Sequence, residues 1–257
     1  MNLIWTGQTN PKHCGTLTKW RFGANFGATG ITVFIELEMK ELNYGKLSVL
    51  GEERTCVKNI VFDMGNVLTV YNQADYIRNY VESENDLDII QKQVCASVEW
   101  ICMDRGTMTD EEAIASVCKR VPIRLQDVVD KFIKEFRMKQ EPNPPMENLI
   151  RRLKKAGYGL YLMSNTSNRF RSMSKNIASI AYMDGIWISC ERGYLKPERE
   201  AYLDFFQYLN LTPEECFFVD DSPANIEAGM RFGMNGCVYH QDIEELEKNL
   251  KEAGFLL

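Results

Sequence analysis

The sequence predicts an α/β fold: a doubly wound parallel sheet with an inserted all-helical segment. Three observations carry this expectation. From residue 146 onward, helical stretches alternate with short apolar runs, and strand–helix alternation builds a parallel sheet covered on both faces. Residues 73–140, directly after the first apolar run, carry only helical periodicity. Three of the apolar runs also end on residues suited to chemistry: Asp63, then Ser164 and Asn165, then Asp220 and Asp221.

Taken in order, residues 1–57 differ from the rest. Seven of the 17 glycines fall there, and one run, ITVFIEL (31–37), has strand character. Three readings stay open for this segment: an extra β element, a partly disordered extension, or a start placed too early, with Met39 as an alternative. The α/β core is expected over 58–71 and 141–257. NIVF (59–62) is its first buried strand. The helical cap is expected over 72–140, with helices at 74–81, 88–100, 110–120 and 125–136. Thr109 and Glu112 form a capping box before the third. EPNPPMEN (141–148) is expected to be a stiff connector.

The alternation follows: helix 146–157, strand 159–163, a short helix, strand 185–189, helix 198–210, strand 216–219, helix 223–233, strand 237–239 and helix 242–254. Pro223 at a first turn and Gly233 past an end bracket one of these helices.

Composition limits the function. The 257 residues suit one domain with an insert, or two modest domains. At 45% hydrophobic and 26% charged, the chain has an ordinary globular composition. A net charge of −6 disfavours nucleic acid and anionic lipid as partners, yet permits a small anionic substrate held by local cations. No apolar run is long enough to cross a membrane, and MNLIWTGQTNPKHC lacks a signal-peptide core. Eight cysteines form no C-x-x-C pair, and His13 and His240 are the only histidines. Zinc is therefore not expected, and reduced thiols in a cytoplasmic protein are.

Ligands of open α/β sheets bind beyond the carboxyl ends of the strands. That edge collects Asp63, Ser164, Asn165, Asp220 and Asp221, with Lys196 from GYLKPEREAY (193–202) nearby. Two unit charges about 4 Å apart repel by roughly 4 kcal/mol at an effective dielectric near 20. Three converging carboxylates therefore need a shared proton or a cation. Hard oxygen ligands beside a phosphate suit Mg²⁺. Lys196 would neutralise phosphate and hold Asp63, and Ser164 with nearby backbone N–H groups would donate to phosphate oxygens.

FDMGNVL, LMSNTS, YLKPEREAY and FFVDDSPANIEAG, in that order, resemble the four motifs of the haloacid dehalogenase superfamily. The resemblance spans residues 58 to about 240 and includes a helical cap after the first motif. Within subfamily IA, the first motif is most similar to a branch that includes sugar-phosphate phosphatases such as alpha-D-glucose-1-phosphatase. The resemblance implies Asp63 as a nucleophile that becomes an aspartyl-phosphate. It implies Ser164 and Asn165 as phosphate ligands, with Lys196 stabilising nucleophile and phosphate. Mg²⁺ would be held by Asp63, Asp220, Asp221 and the carbonyl of Gly65. Asn225 would touch these ligands at most. One departure is implied as well: most phosphatases of the superfamily carry a second Asp where this chain has Gly65, and that Asp serves the leaving group as acid and water as base.

The leading expectation is a Mg²⁺-dependent phosphatase for a small phosphorylated metabolite, with a sugar phosphate as the implied class. A hydrolytic dehalogenase is the alternative, and Asp220-Asp221 argues against it because that chemistry needs no metal. A phospholigand-binding protein without turnover is the third reading, favoured by Gly65. In the cap, two readings stay open for EWICMDRGTMTDEE (99–112): Trp100 and Arg105 face the site and help select substrate, or the stretch is an exposed helix–helix connection with one core Trp.

Overall fold

The computed structural model describes residues 57–70, 72–136 and 141–257, and the backbone of 18–26, 31–39, 47–49 and 52–54. The chain divides into two compact units, Met1–Cys56 and Val57–Leu257. In the first, β1 (Thr18–Phe26) pairs antiparallel with β2 (Ile31–Met39), and β3 (Leu47–Val49) pairs antiparallel with β4 (Glu52–Arg54). The strand-like run at 31–37 lies within β2.

The second unit is built on five parallel strands. These are β5 (Asn59–Phe62), β8 (Gly159–Ser164), β9 (Gly185–Ile188), β10 (Cys216–Asp220) and β11 (Asn235–Val238), in the spatial order β11-β10-β5-β8-β9. Strand periodicity of two divides their side chains between the faces. Ile60, Phe62, Leu160, Leu162, Phe217 and Val219 join one apolar cluster, while Val61, Met163, Cys216 and Phe218 join another. Helices α6 (Pro144–Lys155) and α11 (Ile243–Glu252) cover the first face through Leu149, Leu153, Leu246 and Leu250. Helices α9 (Arg199–Leu209) and α10 (Pro223–Met230) cover the second through Tyr202, Phe205 and Ile226. Two short helices, α7 (Phe170–Met173) and α8 (Ser189–Arg192), follow β8 and β9. The doubly wound sheet is thus the fold that the alternation predicts.

Between β6 (Thr69–Val70) and β7 (Glu141–Pro142), which pair antiparallel, the described chain is helical. It contains α1 (Gln73–Arg78), α2 (Glu84–Ile90), α3 (Val98–Arg105), α4 (Asp110–Val117) and α5 (Gln126–Glu135). These surround their own apolar cluster, centred on Trp100, Phe132 and Phe136.

Three local expectations are revised. The single helix expected over 88–100 is broken: α2 runs into a π-turn at Gln91–Cys95, and Ser97 opens α3 by accepting the Trp100 N–H at 3.2 Å. A serine at an N-cap satisfies a helix donor that an unbroken helix would not leave open. The proline-rich connector is not loop alone: Glu141–Pro142 is a strand, and Asn143 caps α6 with Pro144 and Pro145 in its first turn. The capping box of Thr109 and Glu112 forms as expected. Ser189, placed at a strand end, instead begins α8. Cys95, Cys102, Cys118, Cys190, Cys216 and Cys237 form no disulfide; Cys14 and Cys56 lie outside the described residues. Among the described residues, no helix is long and apolar enough to cross a membrane.

Candidate active site

Parallel register places the chemistry at one edge. Phe62 pairs with Val219 on one side and with Leu162 on the other. Asp63 and Asp220 are therefore level with each other, and Ser164 ends the next strand. The Asp63 N–H continues the ladder to the Val219 carbonyl at 2.9 Å. Asp63, Asp220, Ser164 and Lys196 are all buried, with Asp220 wholly so.

Lys196 joins the two carboxylates. Its Nζ donates to Asp63 Oδ1 at 2.7 Å and to Asp220 Oδ2 at 2.6 Å, and it lies 5.4 Å from the Phe218 ring centre. One oxygen from each of Asp63, Asp220 and Asp221 falls within 4.8 Å of the others. Burial pushes the Asp63 carboxyl up to about 6, against the attraction of Lys196 and with the repulsion of Asp220. Burial opposes the charge on Lys196, yet Asp63 and Asp220 together raise its pKa above the ordinary lysine value. A buried ammonium between two carboxylates is held charged by its partners.

The acids are themselves oriented. Asp220 Oδ1 accepts the Ser222 N–H at 2.8 Å, and the Asn225 amide lies 3.0 Å from both Asp220 oxygens. Asn66 stands at φ 57 in the turn after β5 and donates to Asp221 Oδ2 at 2.9 Å. An asparagine tolerates that left-handed backbone better than most residues. Sequence reasoning overlooked Asn66; its signal was an amide beside Gly65 in a turn aimed at the same edge. Asn225 holds Asp220, a contact that its place in a first helical turn anticipated only in outline.

Gly65 lies two residues past Asp63. A Cβ built there would meet only Asp63 Oδ2, at 3.9 Å. The space beside the nucleophile candidate is thus open to a side chain that this chain does not supply. Asn165 binds the backbone of Lys196 at both ends of its amide: Nδ2 donates to the Lys196 carbonyl and Oδ1 accepts the Lys196 N–H, each at 2.9 Å. Its side chain therefore fixes the lysine turn rather than projecting freely into the edge.

Of the two readings for this turn, Trp100 follows the one that makes it a core residue, and the Arg105 side chain is engaged by a carboxylate. Trp100 is buried in the helical cluster, with its ring centre 4.5 Å from that of Phe136. Arg105 forms a two-pronged ion pair with Glu198, just past Lys196 in the chain. Apolar packing claims the Trp, and a carboxylate within reach claims the Arg. On the core side, Arg169 pairs with Asp110 at 2.6 Å and lies 5.8 Å from the Trp100 ring centre.

Comparison with known proteins identifies the family. Residues 57–233 match the family described as haloacid dehalogenase-like hydrolase. A flavin mononucleotide hydrolase of Arabidopsis thaliana is 25% identical over 156 residues, which is 60% of this chain and 62% of that protein. A sesquiterpene phosphatase of Aspergillus oryzae is 27% identical, over 71% of this chain and 89% of that one. A solved structure of a haloacid dehalogenase family enzyme from Bacteroides thetaiotaomicron, in complex with magnesium and inorganic phosphate, has a TM-score of 0.59 at 20% identity. It covers 74% of this chain and 98% of its own, and the likeness is one of fold.

Proposed function

The chain belongs to the haloacid dehalogenase-like hydrolase family, and from that premise we propose that it is a Mg²⁺-dependent phosphatase of a small phosphorylated metabolite. The observation that carries this reading is the triad of Asp63, Asp220 and Asp221, with Lys196 bonded to the first two. Three hard carboxylate oxygens beside an ammonium suit a divalent cation and a phosphate together. The named activities of the relatives, a flavin mononucleotide hydrolase and a sesquiterpene phosphatase, support a phosphate monoester as substrate.

In this reading Asp63, Asp220, Asp221 and the Gly65 carbonyl would hold Mg²⁺, with Asn66 and Asn225 orienting two of the acids. When bound, Mg²⁺ supplies positive charge that offsets the phosphate oxygens. Asp63 is the nucleophile. Its Oδ1 is held by Lys196, and the other oxygen attacks phosphorus. A carboxylate–phosphorus bond forms, the bond to the leaving oxygen breaks, and that oxygen keeps the electron pair. The leaving oxygen takes a proton from solvent; water then attacks phosphorus and loses a proton to solvent, the bond from phosphorus to Asp63 breaks, and Asp63 departs as the carboxylate with release of inorganic phosphate. Burial raises the Asp63 carboxyl, and the Lys196 ammonium bonded to it favours the charged form, which is the form able to attack. Lys196 and Ser164 bind the phosphoryl oxygens, while Asn165 holds Lys196 in place. The helices between β6 and β7 act as a cap over the strand edge.

Gly65 provides no acid for the leaving group. Leaving oxygens of low basicity, such as the anomeric oxygen of a sugar phosphate, then lose least. The same glycine favours a second reading, phospholigand binding without turnover. Hydrolysis of a sugar 1-phosphate with Mg²⁺ and with EDTA separates the readings. Metal-dependent release of phosphate supports the phosphatase. Halide release from chloroacetate that survives EDTA would overturn it in favour of a dehalogenase.

A further inference from the structure

Arg105 closes α3, far from Lys196 in sequence, yet it grips the turn that carries that lysine. Its Nη1 donates to Glu198 Oε2 at 2.9 Å and to the Gly193 carbonyl at 3.3 Å, and its Nη2 donates to Glu198 Oε1. Glu198 Oε2 also accepts the Leu195 N–H at 3.1 Å, and the Glu198 N–H returns to the Leu195 carbonyl at 2.8 Å. The turn from Gly193 to Glu198 is therefore wrapped around one carboxylate, and that carboxylate is held by the helical insert. On its other side the turn is held by Asn165, through both backbone groups of Lys196.

Two further contacts fix the same end of α3. Ser189 Oγ lies 2.5 Å from the Asp104 carbonyl and accepts the Thr166 N–H at 2.8 Å. A Cβ on Gly106 would come within 2.2 Å of the Cys190 carbonyl oxygen, so only glycine lets α3 end this close to α8.

We propose that Arg105 is a positioning residue which, through Glu198, makes the placement of the Lys196 ammonium depend on docking of the helical insert. Lys196 has no slack: it is buried, and its Nζ must reach Asp63 and Asp220 at once. A turn that loses one of its two supports lets the ammonium leave that shared position. The guanidinium suits this role because its fork matches a carboxylate at two points. Arg105 itself touches no substrate in this account, which rests on the phosphatase reading for its catalytic consequence but not for its structural one.

The test compares wild type with Arg105→Met, Arg105→Lys, Glu198→Gln and the Arg105→Met/Glu198→Gln double variant, with Arg78→Met as a control in an exposed insert ion pair. The first readout is acetylation of Lys196 by an amine-reactive ester, followed by mass spectrometry. Arg105→Met and Glu198→Gln are expected to raise the Lys196 rate by at least about five-fold, through local opening. The double variant is expected to add nothing, and Arg78→Met is expected to match wild type. The second readout is p-nitrophenyl phosphate hydrolysis with Mg²⁺. Arg105→Met is expected to lower kcat between about 10- and 100-fold with KM nearly unchanged, as a small misplacement of a charged group does. Arg105→Lys is expected to recover part of the loss. Unchanged labelling in both single variants, or a rise in KM with kcat intact, would overturn the proposal. If wild type shows no turnover, the phosphatase reading falls, and labelling alone decides for or against the role of Arg105.

Discussion

Lys196 Nζ lies 2.7 Å from Asp63 Oδ1, although 133 residues separate the two. The same nitrogen lies 2.6 Å from Asp220. Removing that ammonium leaves two adjacent buried carboxylates with no cation between them. Lys196→Met is therefore expected to lower stability by about 3–5 kcal/mol, the usual cost of stranding one side of a buried ion pair. Added Mg²⁺ is expected to raise the melting temperature of the variant more than that of wild type, because a cation relieves the stranded charges. Thermal unfolding with and without Mg²⁺ checks this. No Mg²⁺-induced shift in either protein would mean that the acids do not share a cation site.

Gly65→Asp tests the open space beside Asp63. The backbone there needs no left-handed conformation, and the nearest atom to a new Cβ is Asp63 Oδ2 at 3.9 Å. The variant is expected to fold. A carboxyl acid at that point is expected to raise turnover of alkyl phosphates by about 10²–10⁴-fold. Hydrolysis of p-nitrophenyl phosphate, whose leaving group needs little protonation, is expected to change much less. Equal effects on both substrates would show that leaving-group protonation is not what Gly65 withholds.

In the insert, Arg120 donates to both oxygens of the buried Glu99, and Ser116 donates to one of them. The Arg120 bonds hold the Glu99 carboxyl down at about 2, against the cost of burial. A depressed folded-state pKa contributes stability that is full above the ordinary value near 4.5 and is lost as pH falls toward 2. Glu99→Gln is expected to cost about 1.5–3 kcal/mol at pH 7. It is also expected to flatten the fall in stability between those two pH values. Urea melts across the range measure both effects, and a variant with the wild-type pH slope would contradict the assignment.

Strand–helix alternation gave the parallel sheet, because each buried strand is a short apolar run ended by a polar residue. It also gave Asp63, Asp220, Asp221 and Lys196 as neighbours, since parallel strands bring their carboxyl ends to one edge. What local pattern could not give is set by contacts across the chain. The helix expected over 88–100 breaks because Ser97 caps a new helix that turns Trp100 inward. Arg105 and Asn165 have the chemistry of substrate ligands, yet Glu198 and the Lys196 backbone claim their side chains. Asn66 binds Asp221 across 155 positions of sequence, and no spacing rule pairs them.

The proposed phosphatase activity rests on attack by Asp63 on phosphorus at a metal-dependent site. The most direct measurement is p-nitrophenyl phosphate hydrolysis by purified protein with Mg²⁺ and with EDTA, beside Asp63→Asn. Turnover is expected with Mg²⁺ and is expected to be lost in EDTA, with a fall of at least about 10³-fold in Asp63→Asn, roughly 4 kcal/mol of barrier. Wild-type turnover no faster than that of Asp63→Asn, with Mg²⁺ present, would contradict it.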